Sequence, residues 1–411
     1  MLGYIVSQPE AMALRDARHK ADQRPEDTGR MKQSGTPQER AGGIVLRPQP
    51  GISAAQISQA LLSRLDAQEL VSSVVVAEGT DAAGDFLRFS ISDDQAAEWA
   101  PGHDTLALAR HLQLDPASRP ADLLREIVLA LLLAPVPVVF PNLDELVSAV
   151  HIRRNIVQAA RKTTLAFHTS QAERPADCWV YQEDCGFVIL PGVSLTAALA
   201  KATQPEVSGA LYAFSCYRAT EYVMLLGIAE ELAHCHPALF HQLESLWTRR
   251  PIMSGEFHEV FLREQGSMEA PLPPHYFVPG DRVWFRNPDE ASAEASGYEG
   301  SWVIYLGAGL FTNFWKQDRP YTLADKCLEI FHWRHATCLD AGGDLRMDEA
   351  KVETLVAASQ LEPAEVARIL ALMQRYREPR GVYVDGGCLD TTREFARWVH
   401  PGTTDLVLPE K

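Results

Sequence analysis

The sequence predicts an α+β protein, and two patterns in its middle and late parts carry that prediction. In the first, an apolar run of strand length at 210–214 passes through Ser215-Cys216 into a segment with apolar residues at Ala219, Tyr222, Val223, Leu226 and Ala229. That recurrence is helical. In the second, strand-like runs at 281–286, 301–306 and 310–315 follow one another, and helical segments come after them at 323–333, 348–359 and 363–375. Strands grouped in one stretch and helices in the next read as α+β.

The remaining elements fall into place in chain order. Residues 1–50 hold eight Lys/Arg and six Asp/Glu with little periodicity, and read as a mobile tail. Residues 51–134 read as an accessory α+β unit. Its first helix, from Ile52, carries Ala54, Ile57, Leu61 and Leu65 on one face. Strands at 70–76 and 86–91 and helices at 105–114 and 120–133 follow, the last with Pro120 in the first turn. Nothing in this unit has catalytic spacing.

Pro135-Val-Pro137 reads as a stiff entry to a larger domain spanning 135–376. Asn142, with Glu145 three residues on, gives a capping-box pattern for a helix at 143–162, and Arg154 interrupts that helix's apolar stripe. A hairpin around Glu183-Asp184 and a short helix at 195–202 lead into the 210–231 unit. Residues 377–411 read as a C-terminal extension.

Composition narrows the function. A net charge of −16 over 411 residues argues against nucleic-acid binding, which needs a basic face. The longest strongly apolar run, 127–134, is far short of the roughly eighteen residues of a membrane span. No secretory apolar region follows the first charges, so a soluble, cytoplasmic protein is expected, with signal-independent export still open. Seven cysteines form an odd set without CxxC spacing, which fits a reducing compartment better than a disulfide framework.

Cys216 is the residue with chemical promise. It sits where a strand hands over to a helix, and the positive end of the helix dipole favours thiolate there. The free N–H groups of that first turn also suit the oxyanion of an acyl-transfer intermediate. His234-Cys-His236 and the pair His332 and His335 lack further ligands at diagnostic spacing, so no metal or other cofactor is expected.

Five segments in order carry a resemblance: Arg154-Asn-Ile-Val157, the strand of Trp179, Tyr212-Ala-Phe-Ser-Cys216, the segment 280–288 (GDRVWFRNP), and Val303-Ile-Tyr-Leu-Gly307. The chain resembles the compact spore-coat type of bacterial protein-glutamine γ-glutamyltransferase, over about residues 135–375, with the late helical segment 358–369 also similar. The resemblance implies a papain-like catalytic core with an N-terminal α+β extension. It also implies a cofactor-free reaction in which a cysteine takes up a protein glutamine as a thioester, ammonia leaves, and a lysine amine resolves the thioester into an isopeptide bond. Protein glutamine side chains and lysine amines are then the implied partners.

By position, Cys216 matches the nucleophile. The family's glutamate before the cysteine is Ser215 here, its strand glutamate is Ser301, and its histidine aligns with Asn313. No serine acts as a base near neutral pH, so Glu299, two residues before Ser301, is the acid/base candidate. Asn313 is a candidate for orienting a donor or binding the oxyanion, or for holding a turn. Trp302, Phe311, Phe314 and Trp315 are candidates for an apolar channel or simply for core. Two alternatives stay open: a glutamine deamidase or amidase using the same cysteine, and a non-catalytic interaction module that has lost its base.

Overall fold

The computed structural model describes residues 4–7, 42–168, 171–377 and 386–410. The N-terminal layer is built from β1 (Ile44–Leu46), α1 (Ala54–Asp66), the hairpin β2 (Val74–Asp81) and β3 (Gly84–Ile91), α2 (Pro120–Leu132) and β4 (Val138–Phe140). Its four strands pair in the order β2-β3-β1-β4, with β1 antiparallel to β3 and parallel to β4. Ile44 and Leu46 are fully buried, so the tail expected over 1–50 is corrected at its end. Partners about forty and ninety residues downstream make β1 a strand. Within the same expected tail, Tyr4–Ser7 pairs with Gln171–Arg174. Residues 8–41 of it lie outside the described residues. The strand expected at 70–76 begins instead at Val74, after a short 3-10 turn.

Next come α3 (Leu143–Lys162), β5 (Ala166–Phe167), β6 (Ala213–Phe214) and α4 (Cys216–Cys235). The Asn142 side chain caps α3 by accepting the Glu145 N–H at 2.8 Å. Only half of a capping box forms, because the Glu145 carboxylate instead accepts from the Val399 and His400 N–H groups and the Thr403 hydroxyl. The buried arginine of α3 is Arg153 rather than Arg154, ion-paired to Asp281 at 2.7 Å. Helix α4 is apolar nearly all round and correspondingly buried, the behaviour of a central helix. It lies close against α3 at Gly227, where an added Cβ would stand 2.5 Å from the Ile156 side chain.

The rest of the chain supplies β7 (Leu262–Gln265), β8 (Arg282–Arg286), β9 (Gly300–Gly307), β10 (Leu310–Phe311), β11 (Tyr321–Thr322), α5 (Leu323–Trp333), α6 (Glu349–Gln360), α7 (Pro363–Met373) and β12 (Arg393–Ala396). The strands form one antiparallel sheet in the order β7-β12-β8-β9-β10-β11. The expected C-terminal extension is therefore corrected too: β12 lies between β7 and β8 and completes the sheet.

Strand alternation divides the interior in two. Ile304 and Leu306 join the core shared with α3 and α4, whereas Val303 and Tyr305 join a second core with α5 and α7. A buried helix that begins at a cysteine and packs on an antiparallel sheet gives an α+β arrangement. Among the described residues no helix is long and apolar enough to cross a membrane.

Candidate active site

Cys216 is the first residue of α4, one residue beyond the two-residue strand β6. The local sequence accounts for this placement. Ala213 and Phe214 pair in parallel with Ala166 and Phe167. Ser215 then takes the N-cap, its hydroxyl accepting the Arg218 N–H at 3.3 Å. A serine where the family resemblance places a glutamate thus has a structural role, satisfying one of the orphan donors at the start of the helix.

The half-buried Cys216 thiol lies among opposing influences. Burial, the largest, pushes its pKa up, and the Glu299 carboxylate adds to the rise. The backbone N–H of Trp302, the Lys326 ammonium and the backbone N–H of Tyr217 act the other way, and the balance remains above the usual thiol value. The N-terminus of α4 and the strand β9 therefore meet at sulfur. Their side chains meet as well, with Tyr217 edge-to-face on Trp302 at 5.6 Å between ring centroids.

Glu299 immediately precedes β9 and is half-buried. Its backbone carbonyl accepts the Asn287 N–H at 3.0 Å, and the Asn287 amide binds Ser292 Oγ and the Tyr298 carbonyl. The Asn287-Pro288 pair thus anchors the loop that carries Glu299. Gly300 permits the closure, since a Cβ there would stand 2.3 Å from the Trp284 indole nitrogen.

Ser301, also half-buried, lies opposite Phe285 in the sheet. It contributes to the site through its peptide link to Trp302, whose N–H faces the thiol. Asn313, read from the sequence as an oxyanion or orienting group or as the holder of a turn, holds a turn. Its Oδ1 accepts the N–H groups of Trp315 and Lys316, and its Nδ2 donates to the Arg319 carbonyl at 3.1 Å. Its oxygen and one of its two N–H donors are thus committed to the 313–319 turn.

The aromatic residues divide. Phe311 and Phe314 are core, Phe311 packed against Phe277, Phe285 and Tyr305. Trp302 and Trp315 are only partly covered, and Trp315 and Tyr298 both pack on Phe167. His332 binds Ser359 at 2.8 Å, and among the described residues no three His, Cys, Asp or Glu gather as a metal set.

Sequence reasoning missed Lys326. It is 3% exposed on α5, with its ammonium 2.6 Å from Glu329 and 3.9 Å from the centre of the Tyr321 ring. One signal was legible: Lys326 falls at helical spacing with Leu323, Ile330 and Trp333 on the apolar face of its helix. The Glu221 carboxylate faces away from the thiol into an ion pair with Arg218 at 2.6 Å.

A comparison with curated proteins gives no match. Among solved structures the chain is similar to a transglutaminase from Geobacillus stearothermophilus, determined without its C-terminal extension, at 22% identity and a TM-score of 0.37. That similarity covers 52% of this chain and 98% of the other. The family model of protein-glutamine gamma-glutamyltransferase matches residues 107–407, which takes in α2 at one end and β12 at the other. The chain belongs to the protein-glutamine gamma-glutamyltransferase family.

Proposed function

We propose that the chain is a transglutaminase-type acyltransferase in which Cys216 is the nucleophile and Glu299 the acid/base. The observation that carries this reading is the place of Cys216 at the first turn of the buried helix α4, beside strand β9, where Tyr217 packs edge-to-face on Trp302. A thiol raised by burial is mostly protonated at rest, so it needs a base at the moment of attack.

Glu299 takes the S–H proton as sulfur attacks the glutamine carboxamide carbon, then returns it to the departing nitrogen, which leaves as ammonia. The thioester that remains is attacked by a lysine amine. Glu299 accepts the amine proton, the C–S bond breaks, and the thiolate recovers that proton. The isopeptide bond is the product, and no cofactor enters the balance. N–H groups at the head of α4 and at Trp302 suit the oxyanion of both tetrahedral intermediates.

The test is incorporation of a fluorescent primary amine into a glutamine-rich acceptor protein. Wild type is expected to label the acceptor and Cys216→Ala to abolish labelling. Labelling that survives the substitution overturns the assignment, and ammonia release without labelling favours a deamidase.

A further inference from the structure

Two thiols lie side by side in the second core. Cys327 is on α5 and Cys388 is in the segment before β12, both are fully buried, and their sulfurs are 3.5 Å apart. The Cys388 S–H donates to the Met373 carbonyl at the end of α7 at 3.1 Å, which turns the Cys388 sulfur lone pairs to the Cys327 S–H. A disulfide bond is about 2 Å long, so the two sulfurs have about 1.5 Å to close, and each swings on its own Cα–Cβ bond. Both residues stand on elements that hold the loop bearing Glu299. The Cys388 carbonyl accepts the Arg286 N–H at 2.8 Å, and the next residue, Asn287, donates its N–H to the Glu299 carbonyl at 3.0 Å. Leu389 bridges Phe285 of β8. From the other side, Trp333 of α5 packs edge-to-face on Tyr298 at 5.1 Å.

We infer that Cys327 and Cys388 are a modification site, a buried dithiol that a small peroxide converts into a disulfide stapling α5 to the C-terminal segment. The inference is independent of the role of Cys216. One sulfur, as thiolate, attacks a peroxide oxygen, the O–O bond breaks, and a sulfenic acid and water form. The second sulfur then displaces the sulfenic oxygen as water and the S–S bond forms. The two thiols lose two hydrogens and two electrons, and the peroxide is reduced to two waters. With its partner 3.5 Å away, the sulfenic acid condenses rather than oxidising further. Burial makes the first step slow, since peroxide reaches the pair through local opening of the second core. The bond closes a loop between residues 61 positions apart, which removes freedom from the unfolded chain and stabilises the folded one.

The experiment exposes the reduced full chain to hydrogen peroxide at a dose that oxidises the exposed Cys338. Remaining thiols are blocked with N-ethylmaleimide, and the chain is digested without reductant and read by mass spectrometry, with a melting curve on the same sample. The expected product is a linked peptide pair carrying Cys327 and Cys388, two hydrogens lighter than the reduced peptides. The melting temperature is expected to lie about 5 °C above that of the reduced chain, and dithiothreitol to reverse both changes. Cys388→Ser is expected to lose the linked pair and the peroxide-induced rise, and Cys327→Ser to do the same. Should neither variant fold, the wild-type peptide map still decides. Recovery of Cys327 and Cys388 as blocked thiols, a link from either to another cysteine, or a linked pair without a rise in melting temperature overturns the inference. None of these outcomes bears on Cys216 as the nucleophile.

Discussion

The Arg282 guanidinium lies 3.8 Å from the ring centre of Trp302, the residue whose backbone N–H is turned to the Cys216 thiol. The same guanidinium lies 4.8 Å from the Tyr217 ring, bonds Thr220 on α4 at 2.8 Å, and pairs with Glu394 on β12 at 2.5 Å. One buried cation thus fastens strand β9, helix α4 and the C-terminal strand behind the candidate nucleophile.

Arg282→Met is therefore expected to destabilise the fold by about 3–5 kcal/mol, the usual cost of breaking a buried ion pair from one side. Burial opposes the Glu394 charge most strongly, yet Arg282 and His258 hold its pKa at about 2. A lowered carboxylate pKa contributes stability that is present above the unfolded value and is lost as pH falls through the folded one. Denaturant midpoints of the two proteins should differ most above about pH 4.5 and converge as pH approaches about 2. A difference that stays constant over that window contradicts the pairing.

Glu126 of α2 makes the opposite case. Its Oε1 accepts the Ala308 N–H at 2.8 Å in the turn between β9 and β10, and its Oε2 has no partner among the described residues. Burial raises its pKa to about 7, against the Ala308, Tyr305 and Arg161 contributions that lower it. A raised carboxyl pKa gives stability that is full below the unfolded value and is lost as pH rises through the folded one. That loss falls between about pH 4.5 and 7 and is of order 3 kcal/mol for this group. Glu126→Gln cannot ionise, so its melting temperature relative to wild type should be higher at pH 8 than at pH 5. An unchanged difference refutes the buried-acid reading.

Glu299→Gln separates the two effects assigned to that carboxylate. Loss of the acid/base is expected to slow amine transfer by about 10²- to 10⁴-fold. Loss of its negative charge removes one cause of the raised thiol pKa, so iodoacetamide should alkylate Cys216 faster near neutral pH. Transfer slowed and alkylation quickened in one variant is the expected signature. Both rates unchanged would leave Glu299 without a role.

Local chemistry explains which parts of the fold are legible in the sequence. Helices α3 and α5 are legible because Asn142 marks the start of the first and the apolar spacing persists along both. Strands β8 and β9 are legible because short apolar runs there are bounded by Gly280, Asn287-Pro288 and Gly307. Strands β1 and β12 escape a local reading because neither has local strength: distant neighbours make them strands.

The site is half legible. Cys216 stands out by its strand-to-helix position, and Glu299 by its distance of two from Ser301. Asn313 divides between two readings in the sequence, since a side chain's commitment to a turn is invisible until the turn exists. Lys326 stays hidden because a buried lysine braced by Tyr321 and Glu329 reads in sequence as an ordinary surface charge.

The central claim is that acyl transfer passes through Cys216, and trapping that acyl group tests it most directly. The full chain is mixed with a glutamine-containing peptide and no amine, quenched in acid, digested and read by mass spectrometry. The account predicts an adduct on the Cys216 peptide equal to the donor less one ammonia, absent in Cys216→Ala, and discharged when a primary amine is added before the quench. An adduct on another cysteine, or ammonia released with Cys216 unmodified throughout, contradicts it.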